Sequence, residues 1–244
     1  MSRNTRKDKY SQHFLRSPKI ALMLVGHTNI KKSDFTLDIG AGSGVFTYAL
    51  SKKSKQVLAI EADKQTASKL RKNMQNFENV KIEETDFIDF DLNSLPENYK
   101  VCSNIPFHLS SDILKKLMNS QNQPVSVYLI LQKQFAKKLT SGGRGFTSTL
   151  GAQIFPFYTA KIKRPLQKTD FTPPPAVDTV FFELKRRQSP LVLNKRKYLR
   201  MVEQSFLSPE YFSKLKKSLH TIELKPSELT GEEWLEIFTE LNGR

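Results

Sequence analysis

Apolar residues along this chain fall into two rhythms. Compact apolar runs occupy 35–40, 56–61, 80–82, 99–103, 124–131, 154–162 and 177–184, each bounded by polar or turn-forming residues. Runs of this length, rich in Val, Ile, Leu and Phe, predict strands, and the nearly unbroken run at 124–131 predicts one buried on both faces. Between them the apolar positions fall three and four apart. Ala67, Leu70 and Met74 within 64–76, and Ile113, Leu114, Leu117 and Met118 after Ser110-Ser111-Asp112, predict amphipathic helices, the second capped by those three residues. Ser17-Pro18 predicts a helix to about residue 27, with serine at the cap and proline in the first turn. Residues 45–50 and the basic stretch 132–139 also read as helical. Strands alternating with helices predict an α/β domain with a largely parallel sheet.

The rhythm changes at Lys185. From there the chain reads as helical to its end, with Ser227 and Thr230 as caps and Trp234, Leu235, Ile237, Phe238 and Leu241 as the apolar stripe of a last helix. The expected division is an α/β domain over 1–187, opened by a basic arm at 1–10, and a small helical domain over 188–244.

Charge narrows the choice of partner. Among 244 residues, 39 Lys and Arg stand against 24 Asp and Glu, a formal charge of +15. That excess favours a polyanion, and nucleic acid above a merely soluble basic surface or an acidic membrane face, because the basic residues cluster along the chain. Lys133 and Lys137 on the basic helix, and Arg144 in the loop Ser141-Gly142-Gly143-Arg144-Gly145, are candidate phosphate contacts. One cysteine, Cys102, excludes an internal disulfide and a cysteine-rich metal site, so no metal is expected. No apolar run approaches the ~20 residues that span a bilayer, and the amino terminus is basic and polar, so a cytoplasmic protein without a membrane partner is expected.

Two stretches carry the chemistry. The first strand runs through Asp38 into Gly40-Ala41-Gly42-Ser43-Gly44, and the next ends at Glu61, about 20 residues on. Strand, glycine turn, helix and a second strand ending in an acid form half of a nucleotide-binding unit. The glycine spacing is not that of a pyrophosphate cradle, and Asp38 beside it suits a cationic ligand such as S-adenosylmethionine. Asp86, after the third strand, is placed to accept from an adenine amino group, with Phe87 packing on the ring. The second stretch is Asn104-Ile105-Pro106-Phe107 at the end of the 99–103 strand, where open parallel sheets place ligands. It sets a hydrogen-bond acceptor, a rigid bend and a flat ring in one turn, which suits holding a heterocycle by its amino edge. Phe171, leading into Thr172-Pro173-Pro174-Pro175, is expected to face the same site.

Taken together, Gln12-His13-Phe14-Leu15, Asp38-Ile39-Gly40-Ala41-Gly42-Ser43-Gly44, Glu61, Asp86, Asn104-Ile105-Pro106-Phe107 and Phe171-Thr172-Pro173-Pro174-Pro175-Ala176-Val177-Asp178 resemble the S-adenosylmethionine-dependent rRNA adenine dimethyltransferases. The chain is most similar to the branch that modifies one adenine of 23S rRNA and so blocks macrolide, lincosamide and streptogramin binding. The small-subunit branch usually has proline in the glycine turn and tyrosine after Asn-x-Pro, where Ala41 and Phe107 stand here. His13 departs from the asparagine common in the family. The resemblance implies a Rossmann-like methyltransferase fold with a seven-stranded sheet and a helical appendix, acting as a monomer. It implies that His13, Leu15, Gly40 and Gly42 line the methionine end, that Glu61 with Ala62 meets the ribose, and that Asp86 and Phe87 meet the cofactor adenine. Asn104, also beside the cofactor, and Ile105 would receive the target amine, Pro106 would fix the turn, and Phe107 and Phe171 would stack on the target base. The alternatives are a small-subunit enzyme, a DNA adenine methyltransferase, and a non-catalytic nucleic-acid-binding module on the same fold.

Overall fold

The computed structural model describes residues 13–140, 147–219 and 224–242. The basic arm expected at 1–10 and the candidate contact Arg144 lie outside them. A two-residue strand β1 (Phe14–Leu15) leads into helix α1 (Pro18–Gly26), whose cap Ser17 accepts from the Lys19 N–H. Then β2 (Phe35–Ile39), α2 (Val45–Ser51), β3 (Gln56–Glu61), α3 (Lys64–Met74), β4 (Val80–Glu84), β5 (Lys100–Ser103), α4 (Ser110–Asn119), β6 (Ser126–Gln132) and α5 (Lys133–Leu139) follow the expected alternation. They continue into α6 (Thr149–Ile154), β7 (Tyr158–Leu166), β8 (Phe171–Thr172) and β9 (Thr179–Arg186).

Seven strands form one sheet in the order β4-β3-β2-β5-β6-β9-β7, and β1 pairs separately with β8. The pairs β2 with β3, β2 with β5, β3 with β4 and β5 with β6 are parallel, in registers such as Leu37↔Leu58 and Val101↔Val127. Their carboxyl ends therefore share one edge of the sheet, the edge that carries Gly40, Glu61, Asp86 and Asn104. All of β6 except Gln132 is buried, as its unbroken apolar run requires. Leu24, Val25, Phe46, Leu50, Tyr128, Ile130 and Phe181 join one core cluster between α1, α2 and the sheet.

Three local expectations differ. The run at 154–162 is not one strand: α6 ends at Ile154, and β7 begins at Tyr158. The polar residue ahead of the run decides this, because Ser148 caps α6 by accepting from the Gly151 N–H at 3.1 Å. Ser110 is the first residue of α4, preceded by a short turn (Phe107–Leu109), so Ser110-Ser111-Asp112 does not cap it from outside. Ser227 lies in the turn Pro226–Glu228 and caps no long helix, whereas Thr230 does, its hydroxyl accepting from the Glu233 N–H while Glu233 accepts from the Thr230 N–H.

The described residues fall into two compact units, one up to Lys133 together with Lys163–Glu183, the other Gln134–Ile162 together with the residues from Leu184 onward. The second therefore takes in more than the tail from residue 188. Its core explains why: the Tyr198 hydroxyl donates to the Ala152 carbonyl at 3.0 Å, and Ala152 clusters with Val202, Trp234 and Phe238. Helices α7 (Lys195–Leu207), α8 (Pro209–Leu219) and α9 (Gly231–Asn242) pack around fully buried Trp234, whose ring lies 5.9 Å from Phe206. Leu241, expected in the apolar stripe, is exposed. Among the described residues no helix is long and apolar enough to cross a membrane.

The entry into α2 depends on Gly44, which adopts φ +95° and whose absent Cβ would sit 2.6 Å from Leu70 Cδ1 on α3. Gly44→Ala is expected to destabilise the protein by about 1–3 kcal/mol, through strain at positive φ and displacement of Leu70. Urea unfolding measures this, and a neutral result would show that the turn can adopt another conformation.

Candidate active site

One cleft at the carboxyl edge of the sheet is lined by His13, Phe14, Leu15, Asp38, Gly40, Gly42, Asn104, Ile105, Pro106 and Phe107, with Ala41, Ser43, Val45 and Phe46 completing it. It thus unites the glycine turn after β2, the Asn104 turn after β5 and the segment around β1. Asn104 is the residue whose chemistry is most constrained. Its Nδ2 donates to the His13 carbonyl at 2.6 Å. A carbonyl can only accept, so the amide must turn its NH2 towards His13, and Oδ1 is the end left to accept from a ligand.

Glu61 is only 4% exposed. Its Oε2 accepts from the Gly42 N–H at 2.9 Å and its Oε1 from the Asp63 N–H at 3.0 Å. The carboxylate thus ties the glycine turn to the end of β3 while each oxygen retains a lone pair. Gly42 has φ +60°, and a Cβ there would meet the Phe14 ring at 3.1 Å, so a side chain at this position would be strained and would press on that ring. Ala62 is exposed immediately beyond Glu61.

Asp38 lines the cleft, yet it is 1% exposed. The Thr47 hydroxyl donates to its Oδ2 at 2.7 Å, and the Ser103 side chain bonds to it as well. Burial outweighs these donors and, with Glu61 nearby, pushes its pKa up to about 7. A desolvated carboxyl poised near neutrality suits a cationic ligand, whose charge would favour the ionised form. A cleft lined by a buried acid, a glycine turn bonded to a second acid, and an asparagine amide fits S-adenosylmethionine.

The remaining candidates divide. Asp86 is exposed two residues beyond the end of β4, beside β3, with Oδ1 accepting from the Ile88 N–H at 2.8 Å. Phe87 is 5% exposed and the Lys116 ammonium lies 5.7 Å from its ring centre, so this ring is already engaged. Lys133 pairs loosely with Asp178 at 3.4 Å, and Lys137 is exposed on α5; neither lines the cleft. Phe171 is a correction. It is fully buried, in the cluster with Leu15 and Leu166, and offers no face to a base. The reason is the antiparallel pairing of β1 with β8, in which Leu15 opposite Phe171 points inward and Phe14 opposite Thr172 points outward. Arg16 clasps the pair, its Nε donating to the Phe171 carbonyl at 3.0 Å and to the Thr172 hydroxyl at 2.7 Å. Phe14, not singled out from sequence as a site residue, is instead the exposed ring against Gly42; its place beside His13 and Leu15 was the available signal.

A Rossmann-like sheet with this glycine turn and an Asn-x-Pro-aromatic turn at the end of β5 defines a methyltransferase fold. The comparisons specify the family. The profile of the ribosomal RNA adenine dimethylases matches residues 3–224, and the chain belongs to that family. It is 34% identical over 245 residues to an rRNA adenine N-6-methyltransferase of Staphylococcus aureus, covering 96% of this chain and 97% of the relative. It is 27% identical over 255 residues to ribosomal RNA small subunit methyltransferase A of Streptococcus thermophilus, covering 93% of this chain and 87% of that one. The crystal structure of the 23S rRNA methyltransferase ErmE has the same fold, with a TM-score of 0.78 at 23% identity over 94% of this chain and 99% of that one.

Asp38 generates a pH prediction. Its folded pKa of about 7 lies above the ordinary 3.8, so the native state holds a proton that the unfolded chain releases. The stabilisation is full below about pH 4 and is lost as pH rises through about 7. Asp38→Asn is therefore expected to flatten the fall in ligand-free melting temperature between pH 5 and pH 8.5. Parallel curves for the two proteins would show that Asp38 is already ionised in the folded state over that range, as it is in the unfolded chain.

Proposed function

We propose that this chain transfers methyl groups from S-adenosylmethionine to the exocyclic amine of one adenine in 23S rRNA, and thereby confers macrolide, lincosamide and streptogramin resistance. The observation that carries the catalytic part is the amide of Asn104, a residue lining the cleft, oriented by the His13 carbonyl so that Oδ1 is the end left to accept from a ligand. The choice of 23S over small-subunit RNA rests on Ala41 and Phe107, and on the higher identity to the Staphylococcus aureus relative. In this reading the protein works in the cytoplasm, as a monomer, on naked or partly assembled large-subunit RNA. The net charge of +15 supplies affinity for that polyanion, with Lys133, Lys137 and Arg144 as candidate phosphate contacts.

S-adenosylmethionine, when bound, supplies an electrophilic methyl group on a sulfonium. Asp38, Gly40, Gly42 and the backbone of His13 and Leu15 would hold its amino-acid end; Glu61 and Ala62 its ribose; Asp86 and the backbone near Phe87 its adenine. The protein's own task is to make a poor nucleophile adequate. The lone pair of an adenine amine is delocalised into the ring. Asn104 Oδ1 and the Ile105 carbonyl would each accept one amine hydrogen, drawing the nitrogen towards tetrahedral geometry and aiming its lone pair across the cleft. Pro106 fixes the turn that holds the two acceptors together. Phe107, half-buried beside them, offers a stacking surface that offsets the few kcal/mol needed to flip the base out. Positioning and preorganised acceptors dominate, and no strong base is required.

Asn104→Ala removes Oδ1 and leaves Asp38, Glu61 and the glycine turn in place. It is expected to lower methyl transfer to rRNA by at least about 100-fold, with S-adenosylmethionine affinity by calorimetry changed by less than about threefold, which is under 1 kcal/mol. Near wild-type methylation by this variant would remove Asn104 from the reaction.

A further inference from the structure

We infer that the His13 side chain is a positioning residue for the target base: its imidazole, anchored to the Pro173 carbonyl, braces the Phe107 ring in its stacking plane. The inference rests on the function proposed above and gives His13 a supporting role beside Phe107, distinct from the base-stacking role expected of Phe171.

Three contacts converge on His13. Its backbone oxygen receives the Asn104 amide, its Nδ1 lies 2.8 Å from the Pro173 carbonyl, and its ring centre lies 5.5 Å from that of Phe107 with the planes 31° apart. The Pro173 carbonyl can only accept, so Nδ1 carries the proton and the ring cannot swing away without losing that bond. A base inserted between two rings needs their centres about 7 Å apart, twice the ordinary stacking distance of about 3.5 Å. At 5.5 Å, with the planes tilted by 31°, there is no room for a base between the two rings. His13 is therefore not one wall of a sandwich around the base, and its role is to hold Phe107 before the base arrives. Phe107 belongs to the turn after β5, and Pro173 follows β8. The imidazole is thus a strut between the catalytic turn and the β8 segment, which is itself fastened to β1 by Arg16. A ring held in advance spares its ordering at each encounter, which is the physical content of preorganisation.

The backbone carbonyl that orients Asn104 survives in His13→Ala, so this variant removes the strut alone. The test is a double-mutant cycle of His13→Ala and Phe107→Ala, reading kcat and KM for rRNA methylation, S-adenosylmethionine affinity and melting temperature. His13→Ala is expected to reduce kcat/KM for RNA by about tenfold, or about 1.4 kcal/mol, with cofactor affinity within about twofold and melting unchanged. In the Phe107→Ala background the same substitution is expected to have almost no further effect, because there is no ring left to brace. Equal losses in both backgrounds, or a loss in cofactor affinity matching the loss in rate, would overturn the inference while leaving the enzyme reading intact. Absence of rRNA methylation by the wild-type chain would overturn that reading, and this inference with it.

Discussion

The hydrogen bond from the Asn104 amide to the His13 carbonyl decides which end of that amide is left to accept from a ligand, and the other parts of the candidate site serve or exploit that orientation. It needs two segments far apart in sequence. The β5 strand must deliver Asn104 to the carboxyl edge of the sheet, and β1 must be fixed well enough that one backbone oxygen can act as a reference point. The first requirement is met by parallel pairing of β5 with β2 and β6. The second is met by the short ladder to β8, reinforced by Arg16 and by the His13 contact with Pro173. A small amount of secondary structure at the edge of the fold thereby controls the central acceptor.

The cofactor side follows a different physical logic. Asp38 is a desolvated acid whose donors from Thr47 and Ser103 do not recover its lost hydration. Glu61 is equally buried, but backbone N–H groups of Gly42 and Asp63 meet both of its oxygens. Two acids near one turn are therefore held in unlike environments; in the proposed function the first meets a cation, while the second shapes the turn and keeps lone pairs for hydroxyl donors. In the proposed function the +15 net charge acts at longer range, on the RNA.

Much of this was legible in the sequence because it depends on local rhythm. The strands 35–39, 56–61 and 100–103, the glycine turn and the Asn104 turn are each set by a few consecutive residues, and the crossover helices by three- and four-residue spacing. What sequence hid was long-range. Nothing near Phe171 shows that it will pair with Leu15, 156 positions away, and so turn inward; that choice belongs to the ladder, not to either two-residue strand. The single strand expected at 154–162 failed because apolar content outvoted a capping serine. Likewise the tail from 188 could not reveal that Ala152 would complete its core. The strut made by His13 was equally invisible, since its three partners come from residues 104, 107 and 173.

Primer extension on large- and small-subunit rRNA from cells with and without the protein tests the central claim most directly. The account predicts a single new reverse-transcription stop at one adenine of 23S rRNA, present only with the intact Asn104 chain. A stop confined to small-subunit rRNA would contradict the assignment of the substrate, and no new stop in either RNA would contradict dimethylation of an adenine.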